Sequence, residues 1–207
     1  MIKHRSEEEI KDHYDSKITN NPIEAQDYVI DGVPISSESY EELVINPIIE
    51  LLDLEPTDSV LDVGCGAGLI LKKVEQKVKY AEGIDISHKL VNMFDGHSKV
   101  SCGSIMDMNI TADRYDKIYM VSVSIHFPDL NYFFKIVDKL YNSLKPGGSL
   151  IISDQIIAEF YESDKYFCLS LTDLITYVKI HGVHFSVLAQ DKKRRFRNRY
   201  DIILYKS

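Results

Sequence analysis

Val60-Leu61-Asp62-Val63-Gly64-Cys65-Gly66-Ala67-Gly68-Leu69 is the stretch that decides the fold. A short apolar strand carries an acid near its end, a loop follows with glycine at three alternate positions, and a helix begins. Glycine has no Cβ, so such a loop turns tightly and lets a ligand touch the backbone. The helix behind it is expected to offer unpaired N–H groups and a positive dipole end. A nucleotide-like cofactor is the expected occupant. An ordinary strand-to-helix turn is the plainer meaning of the same glycines.

Spacing narrows the cofactor. A dinucleotide fingerprint, G-x-G-x-x-G, needs its third glycine where Leu69 stands. The phosphate-cradling G-x-x-x-x-G-K-[ST] pattern is missing too, because no Gly-Lys-Ser/Thr follows. A second acid, Asp85, closes the strand-like run Tyr80-Ala81-Glu82-Gly83-Ile84-Asp85, 21 residues after Gly64. That is the distance at which a βαβ unit brings a carboxylate to a ribose, where it accepts from two neighbouring hydroxyls. Asp85 as a helix cap is the competing role, but Ser87 is better placed for it.

D-V-G-C-G-A-G resembles the first motif of the class I S-adenosylmethionine-dependent methyltransferases, and G-I-D-I-S at Gly83–Ser87 resembles their second-strand motif. Tyr115-Asp116-Lys117-Ile118 with the later His126-Phe127-Pro128-Asp129 is similar to the fourth-strand region, and Leu144-Lys145-Pro146-Gly147-Gly148 to the turn into the fifth strand. Four such strings in order over about 150 residues agree with one another and with the strand–helix alternation around them. The resemblance implies a Rossmann-like α/β fold, a mainly parallel seven-stranded sheet with the last strand antiparallel, and S-adenosyl-L-methionine as cofactor. It implies a cofactor set of Asp62, Gly64, Cys65, Gly66, Gly68, Asp85, Ile86, Ser104, Ile105, Met106 and Val121. One position departs from the family. Where an acid commonly accepts from the adenine amino group, this chain has Ser104, which accepts without charge assistance. Ile105 and Met106 would pack on the adenine face.

Periodicity supplies the rest of the core. Lys99–Cys102, Asp116–Val121 and Ser149–Ser153 read as the third to fifth strands, and Phe185–Ala189 and Tyr200–Tyr205 as the last two. Leu130, Phe133, Phe134, Val137, Leu140, Tyr141 and Leu144 follow helical spacing, a core stripe that stops at Lys145-Pro146-Gly147-Gly148. Thr172–His181 reads as a further helix stopped by Gly182.

Composition excludes several classes. At 207 residues the chain suits one domain with an added element, and no run of 18 apolar residues exists to cross a membrane. Three scattered cysteines give neither a disulfide framework nor zinc spacing, and no secretory leader pattern stands at the N-terminus, so a cytoplasmic setting is expected. A net charge of −8 argues against a nucleic-acid partner. The local exception, Lys192-Lys193-Arg194-Arg195 with Arg197 and Arg199, reads as a solvated hairpin turn or as a phosphate-binding patch.

The acceptor site is expected from what the family core lacks. Residues 1–47 are read as an N-terminal helical lid over a core of 48–207. Ser6-Glu7-Glu8-Glu9 and Ser39-Tyr40-Glu41-Glu42 look like capping boxes, and Asn46-Pro47 like a third helix start. The resemblance offers a lid tyrosine over the cofactor, Tyr14 with Tyr28 in reserve. Phe160, Tyr161, Tyr166 and Phe167 form either an aromatic acceptor pocket or a cover for the core edge. His126, just after the fourth strand, is the candidate general base or else a structural histidine at a turn. Asp129 and Asp154 are read as a helix cap and a loop acid rather than metal ligands, so no metal is expected. The expected function is methyl transfer to oxygen or nitrogen of a small-molecule acceptor, with a homodimer as a possible assembly. An RNA or protein methyltransferase, or a non-catalytic cofactor-binding subunit, are the alternatives.

Overall fold

The computed structural model describes residues 5–17, 19–30, 33–161, 163, 165–190 and 199–207. The basic run Lys192, Lys193, Arg194, Arg195 and Arg197 lies outside them. The chain opens with α1 (Glu7–Asp15), where Ser6 and Glu9 form the expected capping box. A short α2 (Pro22–Ala25), capped by the Asn21 side chain, leads to a two-stranded hairpin, β1 (Val29–Ile30) and β2 (Val33–Pro34).

The next helical run differs from its sequence reading. Ser36, not Ser39, is the cap: its Oγ accepts from Ser39 N–H, and α3 (Ser37–Tyr40) starts three residues earlier. Asn46-Pro47 does not open a new helix. A π-helical turn, Glu41–Ile45, joins α3 directly to α4 (Asn46–Leu52), with Asn46 N–H reaching back to Glu41 C=O. Pro47 lacks the N–H a regular α turn needs and crowds the carbonyl four residues before it. The wider turn absorbs both problems. The run therefore crosses residue 47, and its Val44, Ile45, Ile48 and Leu52 are buried in the core.

β3 (Ser59–Val63), α5 (Leu71–Val74), β4 (Tyr80–Asp85), α6 (His88–Val91) and β5 (Lys99–Cys102) follow, then β6 (Tyr115–Val121), α7 (Leu130–Ser143), β7 (Leu144–Ile157), β8 (Cys168–Leu169), α8 (Leu171–His181), β9 (His184–Ala189) and β10 (Arg199–Tyr205). The sheet order is β5-β4-β3-β6-β7-β10-β9. The first five strands run parallel, and β10 lies antiparallel to both neighbours. Those seven are the expected strands. The two-residue β8, which no sequence pattern announced, adds an eighth beside β7. The α7 stripe stops one residue early: Leu144 is already extended and pairs with Tyr115, because the residues entering Pro146 are driven out of the helical region.

Strand side chains alternate between two buried layers. On β6, Ile118 and Met120 pack under α7 and α8 with Phe133, Val137 and Leu174, while Tyr119 and Val121 face the opposite layer with Ile48, Leu52, Leu71 and Val74. Covering both faces leaves the carboxyl ends of β3, β4, β5 and β6 as the open rim.

Candidate active site

A cleft of about 880 Å³, part of it open to solvent, lies along that rim. Gly64 and Gly66 line it from the loop after β3, Asp85 and Ile86 from the end of β4, Ser104 and Ile105 from beyond β5, Val121 from the end of β6 and His126 from beyond it. The N-terminal segment closes the outer side with Glu7, Ile10, Tyr14, Gln26 and Tyr28. Nine of the expected site residues meet here: Tyr14, Gly64, Gly66, Asp85, Ile86, Ser104, Ile105, Val121 and His126.

The glycine loop is held from within. Gly64 and Cys65 N–H both donate to Ile84 C=O, at 2.7 and 3.0 Å. Gly66 N–H donates to Asp85 Oδ2 at 2.8 Å, while Asp85 Oδ1 takes Ser87 N–H at 2.8 Å. Burial pushes the Asp85 carboxyl up, against these hydrogen bonds. Ala67 N–H donates to Gln26 Oε1 at 3.0 Å. The loop donors at Gly66 and Ala67 are thus taken within the protein by Asp85 and Gln26, and the helix expected directly behind the glycines begins only at Leu71. Gln26 also sets the closest approach. A Cβ on Gly66, which has φ +55°, would stand 1.8 Å from Gln26 Oε1. The Gln26 Nε2 is buried with no hydrogen-bond partner, alone in this among the described residues. A ligand oxygen would satisfy it.

Four expected residues stand outside the cleft. Asp62 lies in the layer below, where the Tyr119 hydroxyl donates to its Oδ2 at 2.7 Å and burial raises its carboxyl to about 8. It is a buried acid kept neutral at physiological pH. Cys65 is buried, with its Sγ beneath Gly83. Gly68 makes room for the Phe94 ring, which a Cβ there would meet at 2.1 Å. Met106 gives its carbonyl to Lys139 Nζ at 2.5 Å.

Two acids supplied by α1 bind the rim. Asp15 Oδ1 accepts from Ser87 Oγ at 2.7 Å and from Lys89 N–H at 3.1 Å. Glu7 Oε1 accepts from Ser104 Oγ at 2.6 Å and from the Tyr132 hydroxyl. Neither Glu7 nor Gln26 was singled out in the sequence.

His126 ends a 3₁₀ turn, Ser124–His126, between the cleft and a smaller pocket lined by Arg5, Lys165 and Tyr166. Tyr14 OH lies 3.5 Å from its Nε2, and the Tyr166 ring 5.6 Å from its own. Burial, then the charges of Arg5, His13, Lys165 and Arg199, lower its imidazole to about 4. It is neutral at physiological pH. Of the aromatic cluster, only Tyr166 reaches this site: Phe167 is in the core, Phe160 stacks on Tyr200, and Tyr161 is exposed. Asp129 caps α7 as expected, whereas Asp154 is no loop acid: it lies buried within β7 and accepts from Ser122 Oγ at 2.5 Å. Among the described residues no group of three or more His, Cys, Asp or Glu is arranged to hold a metal ion, and no helix is long and apolar enough to cross a membrane.

A family model described as a methyltransferase domain matches residues 37–203. The chain belongs to the methyltransferase-domain family. Its fold is that of the class I S-adenosylmethionine-dependent methyltransferases. A magnesium protoporphyrin IX methyltransferase from Synechocystis, solved with S-adenosylmethionine bound, is similar in fold with a TM-score of 0.72 at 17% identity, over 97% of each chain. Among curated proteins, a sterol 24-C-methyltransferase of Aspergillus fumigatus is 30% identical over 51% of this chain and 30% of its own length. A malonyl-[acyl-carrier protein] O-methyltransferase of Calditerrivibrio nitroreducens is 24% identical over 68% of this chain and 69% of its own. The aligned region thus spans less than a third of the sterol relative.

The residues present fit S-adenosylmethionine. Gln26, seated over Gly66, has an orphaned Nε2 that can donate to a carboxylate, Asp85 can accept from ribose hydroxyls, and Ile86, Leu90 and Ile105 offer apolar walls to a flat ring.

Proposed function

We propose that this chain binds S-adenosylmethionine in the cleft and transfers its methyl group to an oxygen or nitrogen of a small-molecule acceptor. The juxtaposition that carries the reading is the Asp85–glycine loop site and His126 on the walls of one cleft. Bound there, the cofactor supplies an electrophilic methyl on a sulfonium. Transfer is an in-line displacement, so the protein's main work is alignment and exclusion of water. Gln26 and Asp85 hold the two ends of the cofactor's methionine–ribose portion, and Tyr14, Tyr28 and Ile10 cover it. On this reading the N-terminal cover is residues 5–36, and the core starts with α3.

The acceptor enters through the pocket of Arg5, Lys165 and Tyr166 and meets the methyl beside His126. Neutral His126 takes the proton from a hydroxyl acceptor; a neutral amine would need only to be aligned. The two cations favour an acceptor with negative charge. Relatives named for a sterol, a malonyl-carrier protein and phosphoethanolamine support a small-molecule acceptor and leave its atom open.

Thermal denaturation tests the cofactor. S-adenosylhomocysteine at a hundredfold excess over its dissociation constant should stabilise the fold by about 2.7 kcal/mol, and NAD should not. The reverse pattern would remove the assignment. Binding without turnover across a broad acceptor screen would favour the non-catalytic subunit instead.

A further inference from the structure

We propose that Glu7, brought in by α1, is the acceptor that recognises the 6-amino group of the cofactor's adenine, in place of the acid that Ser104 does not supply. The inference rests on the cofactor reading above.

Position comes first. β3, β4 and β5 are neighbours in the sheet, so the glycine loop, Asp85 and Ser104 follow one another along the rim. A ligand with its ribose on Asp85 and its amino-acid end on the glycine loop puts its base beyond Asp85, beside Ser104. There Ile86, Leu90 and Ile105 give apolar walls, and Glu7 stands among the polar groups.

Hydrogen-bond capacity then decides the acceptor. Ser104 Oγ spends its one proton on Glu7 Oε1 and accepts from Met106 N–H at 3.0 Å, which leaves it little to offer a ligand. Glu7 Oε1 is fixed by Ser104 and the Tyr132 hydroxyl, so two elements besides its own helix orient this one carboxylate. Its Oε2 carries no hydrogen bond among the described residues. An ionised carboxylate only accepts. It suits an exocyclic amine and repels the carbonyl that hypoxanthine carries at the same position.

The other role open to Glu7 is to complement the α1 dipole, as any acid in the first turn does. Glu8, exposed on that turn, has the same dipole position and no cleft contact, and so serves as the control.

Calorimetric titration with S-adenosylhomocysteine and S-inosylhomocysteine separates the two roles. Wild type should prefer the adenosyl compound by roughly ten- to a hundredfold. Glu7→Gln keeps the shape, and its amide can present either an oxygen or an NH₂, so the preference should fall to about threefold or less. Glu8→Gln should keep the wild-type ratio. Glu7→Gln combined with Ser104→Asp should restore the adenosyl preference. A wild type that binds S-adenosylhomocysteine tightly without discriminating overturns the proposal with no variant needed. So does an unchanged ratio in Glu7→Gln, or an equal fall in Glu8→Gln. A wild type that binds neither compound overturns the cofactor reading and this inference together.

Discussion

His126 gives the sharpest test, because its geometry fixes both a stability and a rate signature. Burial first, and then Arg5, His13, Lys165 and Arg199, lower its imidazole from an ordinary 6.5 to about 4. Below pH 6.5 the unfolded chain takes up a proton that the folded protein refuses until about pH 4. Stability is therefore lost as pH falls through that window. The full gap corresponds to as much as about 3 kcal/mol. In His126→Gln this loss disappears, so the variant should gain on wild type steadily between pH 6.5 and 4. Parallel urea melts at pH 7, 5.5 and 4.5 measure it. Equal pH slopes in the two proteins would refute the buried, cation-surrounded placement.

The same shift predicts the rate profile. The free enzyme's base is neutral above about pH 4, so kcat/KM should be level from pH 5.5 to 8, with no inflection near 6.5. An anionic acceptor beside Arg5 and Lys165 would offset their charges and raise the imidazole again. The inflection in kcat should then lie above that in kcat/KM. With a hydroxyl acceptor, His126→Ala should lower turnover roughly a hundredfold to ten-thousandfold while cofactor affinity holds. Full turnover in the alanine variant would end the base role and leave the methyltransferase assignment standing.

Asp85→Ala removes the partner of Gly66 and Ser87 N–H as well as the ribose acceptor, and should cost roughly 1.5–3 kcal/mol in S-adenosylhomocysteine binding by calorimetry. Gly66→Val sets a branched carbon where Gln26 Oε1 stands, at a φ of +55°, so the ligand-induced rise in melting temperature should vanish while the circular dichroism of the fold survives. Asp62→Asn tests the neutral acid beneath the loop: wild-type stability should fall as pH rises from about 4 towards 8, because the folded state keeps a proton the unfolded chain releases, and the variant should lack that slope.

The sheet was legible because its signals are local. Strand alternation, the glycines at 64, 66 and 68, and the acid at 85 are backbone requirements that only a few residue types meet. The helix errors were local as well. Asn46-Pro47 has the form of a helix start, and only the packing of Val44, Ile45 and Ile48 on the sheet shows that the helix runs through it by a π turn. Asp62 belongs to the motif by position, yet its side chain points into the layer of Tyr119, a matter of strand parity fixed by burial on both faces.

Of the N-terminal residues on the cleft, Glu7 and Gln26 were beyond such reading for a physical reason. The core loops supply their share through backbone geometry, which short motifs encode. The N-terminal cover supplies its share through side chains: Glu7 to Ser104, Gln26 to Ala67, Tyr14 to His126, over separations of 97, 41 and 112 residues. Any acid in the first turn of α1 satisfies the capping pattern, and any polar residue after α2 satisfies a loop. Which of them faces the ligand is set only when the helix docks. Asp15 on Ser87 and Lys89 fixes that docking, and with it the register that carries Glu7 to the end of β5. The gap at Ser104 was visible in the sequence as a missing acid. The Glu7 carboxylate proposed to fill it comes beside Ser104 only once α1 is seated on the rim.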